Sequence, residues 1–238
     1  MTKKLDKLKI FADGASLPAM LGLAENPRIA GFTTNPTLMR KAGVTDYRAF
    51  ALEVLASIRD KPISFEVFAD EFGEMQRQAC EIATWGNSVY VKIPITNTRR
   101  ESTTPLIREL TAAGVKLNVT ALCTLEQVSD TANALKGGAP SVISVFAGRI
   151  ADTGVDPVPL MRDALAACRA VDMNIELLWA SPRELLNIVQ AAEVGCDIIT
   201  VTNDLLAKLP TIGKDLADFS LETVQMFHRD AAAAGFKL

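Results

Sequence analysis

With one histidine, His228, and four scattered cysteines, this 238-residue chain has little of what a metal site needs. Cys80, Cys123, Cys168 and Cys196 form no C-x-x-C pair, and none has a histidine near it in sequence, so no metal is expected. Cysteines placed this way read as small core residues in a reducing compartment. The charge is close to balanced at net −3, and no basic stretch resembles the electrostatic footprint of a nucleic-acid binder. Long hydrophobic runs are missing too. Met1-Thr2-Lys3-Lys4 is basic, but the apolar residues that follow are interrupted by Asp6, Lys7, Lys9 and Asp13. Neither a signal peptide nor a membrane span is expected, and the location implied is the cytoplasm.

What is present is an alternation of strand-like and helix-like runs from end to end. Leu8–Ala12, Ile29–Phe32, Ile63–Val67, Val89–Ile93, Lys116–Val119, Val142–Phe146, Ile175–Trp179 and Ile198–Val201 are short, apolar and β-rich. Between them, Pro105–Ala113, Leu125–Leu135, Leu160–Val171 and Glu184–Val194 carry apolar residues at helical spacing. Polar or small residues mark the strand ends: Asp13, Thr33, Glu66, Lys92, Thr120, Ser144, Ala180 and Thr200. Each interval between these marks fits one strand plus one helix. Eight such units without a composition break predict an α/β fold, a single (β/α)8 TIM barrel spanning residues 1–238. A doubly wound open sheet is the rival, but the turn Asp13-Gly14-Ala15-Ser16 lacks the G-x-G-x-x-G such a sheet carries after its first strand. Residues 214–238 read as a C-terminal helical extension. Within it Leu216–Ala234 is amphipathic, with Leu221, Val224 and Phe227 free to cover the barrel or dock on another subunit, and with His228 on the surface.

The chemistry centres on Val89-Tyr90-Val91-Lys92-Ile93-Pro94-Ile95, a strand apolar on both faces with one lysine in the middle. An ammonium there loses several kcal/mol of hydration, and a neutral amine in a dry pocket is a nucleophile for carbonyl groups. The bland alternatives are that Lys92 snorkels out at the strand end or pairs with a buried acid. A barrel enzyme builds its site from the C-terminal ends of its strands, and here these hold Asp13, Asn35, Glu66, Lys92, Asn118 with Thr120, and Ser144. Each has an ordinary structural use as well. Asp13 can cap the next helix, Asn35 can order the turn before Pro36, and Glu66 can pair with a barrel lysine. Six of them at one mouth favour function: a lysine nucleophile with two separate carboxylates suits aldol chemistry, which moves protons at two places.

Phe11-Ala12-Asp13, Thr33-Thr34-Asn35-Pro36-Thr37-Leu38, Phe65-Glu66-Val67, Val91-Lys92-Ile93-Pro94, Leu117-Asn118-Val119-Thr120 and Ser144-Val145-Phe146-Ala147-Gly148-Arg149 resemble, in order, the signatures of the transaldolase family of Schiff-base aldolases. Ala180-Ser181-Pro182-Arg183 resembles the last of them. The resemblance implies that Lys92 holds a dihydroxyacetone unit, first as a Schiff base and then as an enamine. Asp13 would take and return the C4-hydroxyl proton. Glu66 would act on the carbinolamine hydroxyl through a water held partly by Thr120. Thr33, Asn35, Asn118, Ser144 and Phe146 would line the bound unit. It also implies no cofactor, sugar-phosphate substrates, a place in the pentose phosphate pathway, and a homo-oligomer built through the terminal helix.

An anion site is expected separately. Ser181-Pro182-Arg183-Glu184 has capping-box spacing with proline at the first helical position. Arg183 then sits where the helix dipole prefers an anion, and a bound phosphate resolves the conflict, with Arg149 as second clamp. In the family these positions hold the substrate phosphate. One stretch departs from the family pattern: Thr96–Thr104, with Arg99 and Arg100, is longer and more basic than the usual loop. It reads as a solvated loop, or else as a contact to the distal anion of the substrate, which keeps a sulfonated sugar in view. Three functions follow. The first is transaldolase, moving dihydroxyacetone from a ketose such as fructose 6-phosphate to an aldose phosphate. The second is an aldolase releasing free dihydroxyacetone, and the third is a non-catalytic sugar-phosphate binder. Family aldolases tend to have glutamine at Glu66 and tyrosine at Phe146, so both residues favour transfer.

Overall fold

The computed structural model describes residues 2–237; Met1 and Leu238, which the expected domain includes, lie outside them. Eight parallel strands close into a barrel in chain order, and the last pairs with the first. They are β1 (Lys9–Asp13), β2 (Ile29–Thr33), β3 (Ile63–Glu66), β4 (Val89–Pro94), β5 (Leu117–Leu122), β6 (Ser141–Val145), β7 (Ile175–Trp179) and β8 (Ile198–Thr202). All eight expected strands are present. The largest boundary change is at β5, which runs on to Leu122.

Helices separate the strands, and each buries the stripe its sequence offers. Leu125–Leu135 is the clearest: Thr124 and Gln127 form a capping box, and Val128, Ala132 and Leu135 recur at helical spacing on its buried face. The expected helix Pro105–Ala113 is Thr104–Ala112, and Leu160–Val171 begins earlier, at Pro157, behind the cap Asp156.

The barrel interior is built in two levels. Phe11, Val142, Leu178, Ala180 and Ile198 form one buried cluster, with Tyr90 and Phe146 packed against it. Gly31 on β2 makes room for it, since a Cβ there would lie 2.6 Å from the Phe11 ring. Side chains alternate along a strand with a period of two, so two residues further on the same strands face the same way. Phe11 is thus followed by Asp13, Gly31 by Thr33, Tyr90 by Lys92, Val142 by Ser144 and Ile198 by Thr200. A dry floor carries a polar layer toward the C-terminal mouth.

The chain divides into two compact units, one ending at Leu206 and one starting at Ala207. The second holds the helix Leu216–Ala234 at the expected bounds. Asp215 caps its start, accepting from the backbone N–H groups of Ala217 and Asp218. Leu221, Val224 and Phe227 are exposed on it, and so is His228. Among the described residues no helix is long and apolar enough to cross a membrane.

The cysteine expectation holds for two residues and fails for two. Cys168 and Cys196 are buried, and burial pushes both thiols up to about 12. Cys80 and Cys123 are exposed. Cys80 lies off the face of the helix Phe72–Ala83 that buries Met75, Ala79 and Ile82, and Cys123 falls just beyond β5.

Candidate active site

Lys92 is buried in the middle of β4, 7% exposed, so it does not snorkel. Its Nζ lies 3.4 Å from Glu66 Oε2 and donates to the backbone carbonyl of Thr34 at 3.3 Å. Register explains the meeting: Glu66, Lys92 and Asn118 are paired neighbours across β3, β4 and β5. Burial raises the Glu66 carboxyl above its ordinary range, with the positive charge of Lys92 opposing the shift. Asp13, at the end of β1, is also raised by burial; Lys92 and a hydrogen bond from Thr33 oppose it. Both carboxyls therefore hold protons more readily than free ones, as proton-transfer groups must near neutral pH.

Hydroxyls and amides fix these groups. Thr33 donates to Asp13 Oδ1 at 2.7 Å, and its oxygen also meets the Thr200 hydroxyl. Asp13 thus serves no helix cap. Asn118 donates from Nδ2 to Ser64 Oγ at 2.9 Å and accepts from Ser144 Oγ at 2.7 Å, which fixes its side chain between two serines. Asn35 does cap: its Oδ1 accepts from Leu38 N–H at 2.9 Å, starting the helix Pro36–Lys41. Thr120 Oγ1 is buried with no hydrogen-bond partner among the described residues.

The anion side differs from expectation. No helix starts at Ser181. The helix begins at Leu186, and its N-cap position, Leu185, offers no side-chain bond. A capping box needs an extended N-cap residue, whereas Ser181 has φ +62°. The carbonyl oxygen of Ser181 also occupies the space beside Gly148, only 1.5 Å from where a Cβ would stand. Asn187, in the first turn of that helix, ties the loop before it: its Oδ1 accepts from the N–H groups of Arg183 at 2.7 Å and Glu184 at 3.3 Å. Arg183 is not an unbalanced cation at a helix start either. Its Nε donates to Asp152 Oδ1 at 2.8 Å and its Nη2 to Asp152 Oδ2, while Nη1 reaches Ser181 O and Oγ at 3.0 and 2.9 Å. That fork holds the Asp152 carboxyl below its usual range.

Eleven of the twelve expected site residues line one cavity of about 580 Å³ at the barrel mouth. The twelfth, Asn118, is buried and bonded to Ser144, which is on the lining. Arg149 and Arg183 are on the same cavity as Lys92, so a buried amine and two guanidiniums share one chamber. Sequence reasoning left out three contributors. Thr200, which the sequence shows only as a strand end, lines the cavity, as does Lys41 from the end of the helix Pro36–Lys41. Tyr47 donates its phenol to the Glu66 carbonyl at 2.7 Å and stands edge-on to Phe65. Nothing local in sequence marks Tyr47.

Thr96–Thr104 is not merely solvated. Arg99 reaches Glu71, Glu101 and Asp70 at 2.7, 3.1 and 3.4 Å, and the Thr98 N–H and hydroxyl both bond Asp70. The Arg99 charge is thus spent on neighbouring carboxylates, and none of the loop's residues lines the cavity.

Comparison with known proteins agrees with this geometry. Residues 10–238 match the family described as Transaldolase/Fructose-6-phosphate aldolase. A "Probable transaldolase" of Dehalococcoides mccartyi is 33% identical over 202 residues, covering 85% of this chain and 90% of that protein. A "Probable transaldolase 2" of Listeria monocytogenes is 35% identical over 204 residues, covering 85% and 88%. Among solved structures, an HpcH/Hpal aldolase/citrate lyase family protein from Burkholderia cenocepacia superposes with a TM-score of 0.61 at 16% identity, covering 94% of this chain and 98% of that one. The 3-hexulose-6-phosphate synthase of Salmonella typhimurium gives 0.55 at 17% identity, covering 82% and 88%. These structural likenesses speak for the barrel alone; the sequence matches speak for more, and the chain belongs to the transaldolase/fructose-6-phosphate aldolase family.

Proposed function

We propose that the protein is a transaldolase that carries a dihydroxyacetone unit on Lys92 from a phosphorylated ketose to an aldehyde acceptor. The observation that carries this reading is a buried lysine facing one cavity with two carboxyls, both raised by burial, from different strands. Glu66, 3.4 Å from Nζ, takes a proton from the ammonium, and the free amine attacks the ketose C2 carbonyl. Glu66 then returns a proton to the carbinolamine hydroxyl through a water shared with Thr120; water leaves and the iminium forms. Asp13 removes the C4-hydroxyl proton. The C3–C4 bond breaks, its electrons neutralise the iminium, and an aldehyde departs from the enamine. The acceptor aldehyde is attacked by the enamine carbon, and its oxygen takes the proton from Asp13. Hydrolysis of the new iminium releases the product and restores Lys92.

Arg149, Arg183 and the Ser181 hydroxyl would hold the terminal phosphate. Because Arg183 is forked onto Asp152, the phosphate shares that guanidinium with a fixed carboxylate. Transfer is favoured over release because Phe146, packed on the apolar floor, brings no proton donor to the enamine carbon. Assembly of several copies through exposed Leu221, Val224 and Phe227, and work in the cytoplasm within the pentose phosphate pathway, belong to the same reading. The test is a product assay with fructose 6-phosphate. Transaldolase predicts that product forms only when an acceptor aldose phosphate is added. Steady release of free dihydroxyacetone without acceptor would make the enzyme a lyase.

A further inference from the structure

Asp13 on β1 ends a line of two hydroxyls, one from each neighbouring strand. Thr33 on β2 is its paired neighbour on one side, and Thr200 on β8 pairs with Phe11 on the other. The Thr33 hydroxyl has one proton and two partners, Asp13 Oδ1 at 2.7 Å and Thr200 Oγ1. A carboxylate can only accept, so while Asp13 is ionised the Thr33 proton is committed to it, and Thr200 must donate to Thr33. The direction of both bonds is thereby set. Thr33 and Thr200 are buried, 2% and 6% exposed.

Simple mutual satisfaction of two buried threonines is a weak explanation here. Thr111, Thr120 and Thr131 all bury a hydroxyl without any hydrogen-bond partner among the described residues, so this fold does not require every buried threonine to be paired. The pairing occurs where it ends on a carboxyl in the cavity.

We infer that Thr200 is a positioning residue for Asp13: by donating to Thr33 it strengthens the bond that anchors Oδ1, and so keeps Oδ2 aimed at the substrate hydroxyl. Hydrogen bonds in a chain polarise one another, so the Thr33–Asp13 bond is stronger with Thr200 than without it. A bond to the ionised form favours that form, and its weakening raises the carboxyl's pKa. This inference rests on Asp13 being the base proposed above. The other charged groups around Asp13 are Lys92 on β4, Glu66 on β3, Lys41 at the cavity wall and Asp204 on the short helix Asn203–Leu206 after β8, and none is altered by a change at Thr200.

The experiment compares Thr200→Val and Thr200→Ser with the parent enzyme. It measures kcat/KM for transfer between about pH 5 and 9, and borohydride trapping of the Lys92 intermediate in each. Valine keeps the shape and removes the donor. Its acidic limb is expected to move up by about half a unit to one unit, with activity below the limb reduced about threefold to tenfold. Serine restores the parent profile. Should the valine variant not fold, Thr200→Ala removes the same donor and is expected to show the same shift. An unmoved limb in the variant that folds, or a serine variant that behaves like valine, overturns the role of Thr200. If the parent enzyme itself traps no substrate on Lys92, it is the proposed function that fails, whatever the pH profiles show.

Discussion

Replacing Lys92 with methionine is expected to destabilise the barrel in a pH-dependent way, in addition to abolishing activity. Methionine suits the buried strand sterically, so packing is nearly preserved. What is lost is the positive charge that opposes the upward shift of both Asp13 and Glu66. Removing one partner of a buried ion pair costs about 3–5 kcal/mol. The Lys92 and Glu66 side chains are 9% and 17% exposed and their contact is 3.4 Å, so the low end, about 3 kcal/mol, applies. For a domain of this size that is a fall in Tm of about 6–12 °C near neutral pH. The sign of the pH dependence follows from the raised carboxyls. Below the ordinary carboxylate pKa of about 4 they are protonated whether folded or unfolded, and the missing lysine charge matters least. As pH climbs past that ordinary value, the unfolded chain ionises freely while the folded one must either hold its protons or bury unpaired charge. The gap between parent and Lys92→Met should therefore widen from about pH 4 to pH 8. Thermal unfolding across that range measures it, and adding Glu66→Gln should recover part of the loss. A gap that stays constant with pH, or no gap, would refute the counter-ion role of Lys92.

Two further outcomes are expected. Arg149→Ala and Arg183→Ala each remove a charge-assisted contact worth about 1.5–3 kcal/mol. Both should impair use of phosphorylated substrates far more than use of free dihydroxyacetone as donor, as steady-state kinetics with the two donors would reveal; equal losses would make the arginines structural. Phe146→Tyr places a hydroxyl at the cavity wall and should raise the ratio of free dihydroxyacetone to transfer product at fixed acceptor. An unchanged ratio in a folded, active variant would leave Phe146 a packing residue only.

The barrel and most of its mouth were legible because they rest on local, periodic features. A strand that steps from Tyr90 to Lys92, or from Val142 to Ser144, announces both its period and the point where the apolar floor ends. The lysine's partner was legible for the same reason: Glu66 ends the preceding strand and pairs in register with Lys92. The anion side was misread because it is settled by contacts between distant residues. Ser181-Pro182-Arg183-Glu184 satisfies a local capping pattern, yet Ser181 is left-handed and packed on Gly148, Asn187 holds the Arg183 N–H, and the helix starts at Leu186. Arg183 looked uncompensated because Asp152, its partner, lies on the preceding βα unit. The loop carrying Arg99 is largely exposed and off the cavity, as a solvated loop should be, but its ion pairs were not legible, since Asp70 and Glu71 come from the turn after β3. Asn35 shows that the structural and functional readings need not compete: it caps a helix and lines the cavity at once.

The central claim is that Lys92, and no other lysine, carries the substrate. Incubation with fructose 6-phosphate and borohydride, followed by peptide mapping, tests it most directly. The account predicts one reduced three-carbon adduct, on Val91-Lys92-Ile93, absent from Lys92→Met and absent without substrate. An adduct on Lys41, the other lysine lining the cavity, or turnover with no adduct at all, would contradict it.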